Sequence, residues 1–162
     1  MYSKICFRVA RTCLYVGILG LCLLVCAVMY QVIGRYVFNS SPTWTESMAI
    51  LLVLYVTMLG MSVGVRDGGH IGLESLLIMV PAQLRVKLEI FIYLLMIGFG
   101  VLMTWCCSEL AIDVMSYRIP TLGISEAFKY AAPAIAGGLV SLFSIEHLIA
   151  LFSGEEVETT WR

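Results

Sequence analysis

Three side chains capable of specific chemistry lie in a short polar strip between two long apolar runs. The strip, residues 35–49, reads RYVFNSSPTWTESMA and contains Arg35, Trp44 and Glu46. Such side chains can bridge a hairpin, anchor a helix at a membrane surface or contact another protein. Because Glu46 follows Thr43 by three residues, the pattern also fits a capping box at a helix start. We expect Trp44 and Glu46 to be mainly architectural, whereas a hairpin contact and a partner contact are equally good interpretations of Arg35.

The other reactive side chains, the histidines and cysteines, give little support for metal binding or redox chemistry. His70 lies four residues before Glu74, but a metal site needs more ligands, and the second histidine, His147, is distant in the sequence. The six cysteines form no C-x-x-C pair, so we expect neither a redox centre nor a structural disulfide. We therefore expect no metal, no cofactor and no catalytic residue, and we interpret Gly68, Gly69 and His70 as a tight turn whose glycines supply backbone freedom.

The composition indicates that most of the chain contacts lipid. Of its 162 residues 60% are hydrophobic and only 13% are charged, and the mean hydropathy is +0.95. This is too little polar surface for a water-soluble globule. Four segments with charge-free cores have the length that a bilayer requires, and they are predicted at about 12–34, 45–65, 86–108 and 127–150. Backbone groups in lipid must satisfy their own hydrogen bonds, so these segments should be helices.

The distribution of Lys and Arg predicts the topology. With four crossings, one side of the membrane holds seven of the ten basic residues, and the other side holds Arg35, Arg118 and Lys129. Basic residues concentrate on the cytoplasmic side, so both termini and the Gly68 turn should be cytoplasmic and the polar strip should lie outside. Between the second and third spans, residues 70–80 are too short to cross and should form an interfacial helix. We expect a single all-α membrane domain over 1–162, with an acidic tail at 153–162.

Small residues mark two candidate faces for helix packing. Gly60 and Gly64 form a G-x-x-x-G pattern in the second span, and Ala134 and Gly138 belong to a similar stripe in the fourth. Small side chains let helix backbones approach closely in lipid. We expect packing within the chain at both places more readily than contact with a partner, although a partner helix would use the same chemistry.

The charge-free span cores restrict the function. Ion-coupled carriers and proton relays need ionisable groups at membrane depth, and secondary transporters commonly contain inverted repeats and broken helices. The sequence contains neither feature. An accessory subunit is therefore favoured over a free-standing four-helix carrier or channel, and over a membrane enzyme or quinone redox protein. No nucleic-acid partner is expected.

Several short motifs, in this order, resemble a known family. They are RYVF at 35–38, WTE at 44–46, Gly60, GGHI at 68–71, PTLGI at 120–124 and YAAP at 130–133. Together they resemble the small membrane subunit, often called Q, of the tripartite ATP-independent periplasmic (TRAP) transporters. Ser47 departs from the pattern, because a second acidic residue would be expected after Glu46, so no role can be given to a carboxylate pair.

The resemblance implies a role in transport without catalysis. It implies a stable heterodimer with a large membrane subunit that carries the substrate and sodium sites, and transient contact with a periplasmic binding protein that delivers an organic acid. The substrate would be a carboxylate or a sialic-acid-like compound, and the location would be the bacterial inner membrane. Arg35, Trp44 and Glu46 are then the candidate partner contacts.

Overall fold

The computed structural model describes residues 2–40, 42–68 and 82–153, apart from the side chains of Ala82, Gln83 and Arg85. Four α-helices account for most of this part: α1 (Tyr2–Tyr36), α2 (Thr43–Arg66), α3 (Ala82–Asp113) and α4 (Ala127–Ser153). Each is long and apolar enough to cross a membrane. The predicted fold class, an all-α membrane protein with four spans, is confirmed. The interfacial helix expected at 70–80 and the tail after Ser153 lie outside the described residues.

Helix α1 begins well before its predicted apolar span. Its 35 residues would measure about 52 Å, which exceeds a hydrocarbon core of about 30 Å. The early start has a packing reason, because Cys6 and Ala10 are buried in a cluster with Val63 of α2 and Phe143 of α4. The first three turns of α1 are therefore part of the protein core, although they carry basic residues on their outer face.

The four helices pack as a row. Helix α1 packs mainly against α2, α2 against α4, and α4 against α3, so the spatial order is α1–α2–α4–α3. Helix α4 lies inside the row and contributes the most buried residues of the described helices. Helices α1 and α3 lie at the two edges and expose many large apolar side chains, among them Leu19 and Leu102. A water-soluble protein could not tolerate such edges, but lipid or another membrane helix can cover them.

A close helix crossing joins α3 to α4 through two glycines. A Cβ added at Gly137 would lie 2.6 Å from the carbonyl oxygen of Gly100 and 2.7 Å from Oγ1 of Thr104. Thr104 donates hydrogen bonds to the carbonyls of Gly100 and Ala134, at 2.9 and 3.2 Å. Two backbones this close gain dispersion contacts that larger side chains would prevent.

The α1–α2 hairpin is built without the predicted capping box. Helix α2 starts at Thr43, its N-cap residue is Pro42, and no side chain caps it. The capping-box prediction is therefore wrong. Thr43 already belongs to the helix, and the hydroxyl of buried Thr45 instead donates to the carbonyl of Pro42 at 2.6 Å. Gly34 suits this close approach, because a Cβ at that residue would lie 3.0 Å from the carbonyl oxygen of Ser40, which is tighter than an ordinary contact.

Candidate partner interface and a buried ion pair

The described residues of the polar strip lie at one end of the helix row, which we call the loop end (residues 35–40, 42–47 and 114–129). Arg35 is in the last turn of α1, and Trp44 and Glu46 are in the first turn of α2. All three side chains are exposed, Trp44 to 42%. Within the described residues no ion pair or hydrogen bond joins Arg35 to Glu46. The strip thus presents both signs of charge to its surroundings.

Trp44 has a structural contact of its own. Its ring lies 6.1 Å from that of Tyr30, with 35° between the ring planes. This tilted pair joins the last turns of α1 to the first turn of α2 and fits the architectural role expected for Trp44. The indole is nevertheless accessible, so the same side chain can also contact lipid headgroups or a partner protein.

The second element of the loop end is the connection between α3 and α4. A short turn is closed by hydrogen bonds between Ile119 and Ile124 and between Glu126 and Tyr117, both 2.8 Å, and Gly123 adopts a φ of +68° that favours glycine. The hydroxyls of Ser47 and Thr121 are 2.5 Å apart. This bond connects the start of α2 to the turn, so both elements form one surface.

A buried ion pair lies at the opposite end of the row, which we call the ion-pair end. Arg66, the last residue of α2, donates from Nε and a terminal nitrogen to the two carboxylate oxygens of Glu146 in α4, at 3.0 and 3.1 Å. The two residues are 1% and 3% exposed. A bidentate pair of this geometry is among the strongest hydrogen-bonded contacts in proteins. Asp67 adds a second carboxylate 3.7 Å from the guanidinium.

Aromatic and imidazole rings complete this cluster. The guanidinium of Arg66 lies 5.4 Å from the ring centroid of Phe7 in α1, within range of a cation–π contact. Nε2 of His147 is 2.8 Å from the carbonyl oxygen of Arg66, and its ring stacks on Tyr93 of α3 at 5.3 Å. One cluster therefore contains side chains from all four helices.

The sequence pointed to this cluster only indirectly. Arg66 and Glu146 each follow the charge-free core of a span, and in a four-span topology those two span ends lie on the same side of the membrane. Opposite charges at such ends are candidates for pairing. We did not predict the pair, because the sequence does not say that α2 and α4 are neighbours.

The predicted packing residues divide into two groups. A Cβ added at Gly60 or Gly64 would meet no atom within 4 Å, so among the described residues this face of α2 packs against nothing. The packing within the chain that we favoured for the motif is not observed there. Ala134 and Gly138 lie beside the α3–α4 crossing, where the Ala134 carbonyl accepts from Thr104 and Gly138 is 3.9 Å from its hydroxyl.

The predicted turn after α2 falls only partly within the described residues. Gly68 has a φ of +79°, a left-handed conformation that glycine adopts without strain. Gly69 and His70 lie outside the described residues. Among the residues that the structure describes, no group of three or more His, Cys, Asp and Glu side chains is arranged to hold a metal ion.

Comparison with known proteins identifies the class and then the family. The four apolar helices define a multi-pass membrane protein. The family model for tripartite ATP-independent periplasmic transporters, DctQ component, matches residues 24–154. The chain belongs to this family, as a small membrane subunit of a TRAP transporter, and the resemblance in the sequence is confirmed. Members of this family are components of transporters.

Individual relatives have similar names. The chain is 34% identical over 131 residues to the sialic acid TRAP transporter permease protein SiaT of Haemophilus influenzae. The matched region is 76% of this chain and 19% of SiaT. It is 24% identical over 150 residues to a putative TRAP transporter small permease protein of the same species, covering 89% and 86%. It is 21% identical over 122 residues to the sialic acid TRAP transporter small permease protein SiaQ of Vibrio cholerae, covering 74% and 69%. The chain thus spans about a fifth of SiaT but most of the two small permeases.

Proposed function

We propose that this chain braces a large TRAP membrane subunit in a stable heterodimer and helps a periplasmic substrate-binding protein to dock during sodium-coupled uptake of an organic acid. The observation that carries the proposal is the family match over residues 24–154. The match to part of a larger TRAP permease protein, SiaT, supports a place beside a large membrane subunit. The names of SiaT and SiaQ support a sialic-acid-like substrate, and a C4-dicarboxylate relative supports a carboxylate.

The architecture agrees with a bracing role. Ionisable side chains are absent from the span cores, and the buried pair Arg66–Glu146 lies at one end of the row. A transport site with coupled charge movement would need such groups at membrane depth. The exposed apolar edges of the row instead provide surface that can enlarge the membrane footprint of a larger partner.

Association with the large subunit is tested by co-purification. The reading frames next to this one are searched for a large polytopic membrane protein, the tagged chain is produced together with that protein, and the stoichiometry of the purified complex is measured. We expect a one-to-one complex that transports solute in liposomes only when the binding protein is added. Transport by the tagged chain alone would overturn the proposal and would support a free-standing carrier or channel.

The open face of α2 is the proposed contact with the large subunit. Because nothing in the described chain fills the space beside Gly60 and Gly64, Gly60→Leu with Gly64→Leu should leave the isolated chain folded but weaken co-purification. Gly98→Leu is the matched control, because Gly98 is an equally open glycine in α3. Equal recovery of the complex from both variants would remove this face from the proposed interface.

The loop end is the proposed docking site for the binding protein. On this proposal the chain lies in a bacterial inner membrane, with the loop end facing the periplasm and both termini in the cytoplasm. Seven of the ten basic residues on the opposite side support this orientation. Arg35→Glu should lower uptake severalfold without lowering the amount of assembled complex, because a reversed surface charge slows association. Arg118→Glu makes the same charge change in the other loop. Loss of assembly in the Arg35 variant would instead make that residue structural.

A further inference from the structure

The outer face of the first turns of α1 carries three basic side chains in one stripe. Lys4, Arg8 and Arg11 are separated by four and three residues, so they lie above one another on a single helix face. Cys6 and Ala10, which are fully buried in the core, lie on the opposite face. We call the three residues the basic stripe. Its orientation is fixed by core packing, and all three of its side chains are exposed.

The basic stripe has no acidic partner within the described chain. The ion pairs there involve Arg66 and Lys129, and no carboxylate pairs with Lys4, Arg8 or Arg11. The guanidinium of Arg11 lies 5.7 Å from the ring centroid of Phe7, which orients the side chain without neutralising it. Three positive charges within about 10 Å of helix length are therefore available to an external anion.

The continuation of the same face indicates which anion this is. One turn beyond Arg11 follows Tyr15, 59% exposed, and then the exposed apolar side chains of Ile18 and Leu19. A basic segment, an interfacial aromatic residue and an apolar segment match the headgroup, the interface and the acyl chains of a lipid leaflet in that order. A soluble protein or a free phosphate would match only the first part.

We infer that the basic stripe binds the phosphate groups of anionic phospholipids in the leaflet at the ion-pair end of the protein. The acyl chains of these lipids lie along the exposed apolar face of α1 below Tyr15. Lys4, Arg8 and Arg11 attract the headgroups, and clusters of Lys and Arg next to a span are typical binding sites for anionic lipids. The inference goes beyond the proposed transport role and needs neither the large subunit nor the binding protein.

The test measures which lipids remain bound to the full-length purified chain. The chain is exchanged into detergent micelles that contain equal amounts of phosphatidylglycerol and phosphatidylcholine with identical acyl chains, and retained lipids are counted by native mass spectrometry. Micelles have no sidedness, so altered insertion in cells cannot imitate the result. We expect the unaltered chain to retain phosphatidylglycerol preferentially and to lose that preference as the salt concentration rises.

Two triple variants distinguish a site from general charge. Lys4→Gln, Arg8→Gln and Arg11→Gln together should reduce the preference for phosphatidylglycerol at least tenfold, since each basic residue near an anionic surface contributes roughly a fivefold effect. Arg35→Gln, Arg118→Gln and Lys129→Gln remove the same charge from the loop end and should leave the preference nearly unchanged. Circular dichroism checks that both variants remain helical.

Three results of the lipid assay would overturn the inference, and a fourth would come from crosslinking in the complex. The first three are equal retention of both lipids by the unaltered chain, equal losses in the two triple variants, and displacement of phosphatidylglycerol by millimolar inorganic phosphate. The last result would show that the stripe binds free phosphate and not lipid. In the complex, crosslinking of the stripe to the large subunit would likewise show that a protein and not lipid covers this face.

Discussion

Charged side chains are buried and paired at one end of the helix row and exposed at the other. At the ion-pair end, Arg66 and Glu146 are buried and joined by two hydrogen bonds. At the loop end, Arg35 and Glu46 are exposed, and no ion pair or hydrogen bond joins these two described side chains. A buried pair needs its exact partner, whereas an exposed charge can be replaced at little cost to folding. The ion-pair end is therefore a fixed joint between helices, whereas the loop end is an exposed polar surface.

The largest effect is expected from removing one member of the buried pair. Glu146→Leu removes the carboxylate that accepts two hydrogen bonds from the buried guanidinium of Arg66. The variant should lose about 3–5 kcal/mol of stability, the usual cost of removing one partner of a buried ion pair. Unfolding in mild detergent, followed by circular dichroism, measures the loss.

A double variant checks the reason for that loss. Arg66→Met with Glu146→Leu removes both members of the pair and should recover part of the stability, because neither member is then buried without the other. The recovery is incomplete, because the Asp67 carboxylate, 2% exposed, loses its contact with the guanidinium. If the double variant is as unstable as the single one, the pair is not the joint that we describe and the contrast between the two ends fails.

A smaller loss of stability is expected at the glycine crossing between α3 and α4. A substitution there tests whether α4 is held in place along its length as well as at the ion pair. Gly137→Ala places a Cβ against the backbone of Gly100, so the helices must separate. Overpacking of this kind costs about 1–3 kcal/mol. The adjacent Gly138→Ala is the control: its Cβ would be 3.9 Å from Thr104, and alanine favours a helix by up to about 1 kcal/mol. Equal melting temperatures for the two variants would contradict a tight crossing.

The physical rules for a chain in lipid also explain which features of this structure could be predicted from the sequence. Lipid imposes helix length and hydrogen-bonding rules on each segment separately, so the four spans were predictable from single stretches such as 45–65. The ion pair joins residues 80 positions apart, and no local pattern identifies α2 and α4 as neighbours. The tight crossing likewise consists of single glycines on different helices, Gly100 and Gly137, whereas no atom of the described residues lies within 4 Å of a Cβ added at Gly60 or Gly64.

At the loop end, the bond between Ser47 and Thr121 is predicted to make only a small contribution. Ser47→Ala removes one hydroxyl from an exposed pair, and the remaining Thr121 hydroxyl can bond to water instead. The expected loss is about 0.5–1 kcal/mol, a typical value for one hydrogen bond. A loss above about 2 kcal/mol in the same unfolding assay would show that the loop end is a second fixed joint.

The smallest effect is expected at Arg35, and it decides whether the comparison holds. Arg35→Gln keeps the length and polarity of the side chain but removes its charge, and exposed charges contribute between zero and about 1 kcal/mol. We therefore expect an unchanged melting temperature, while binding of the periplasmic protein weakens and depends less on salt concentration. Surface plasmon resonance on the reconstituted complex measures both. A destabilised chain with unchanged binding would place Arg35 with Arg66 among the structural charges, and the difference between the two ends would then disappear.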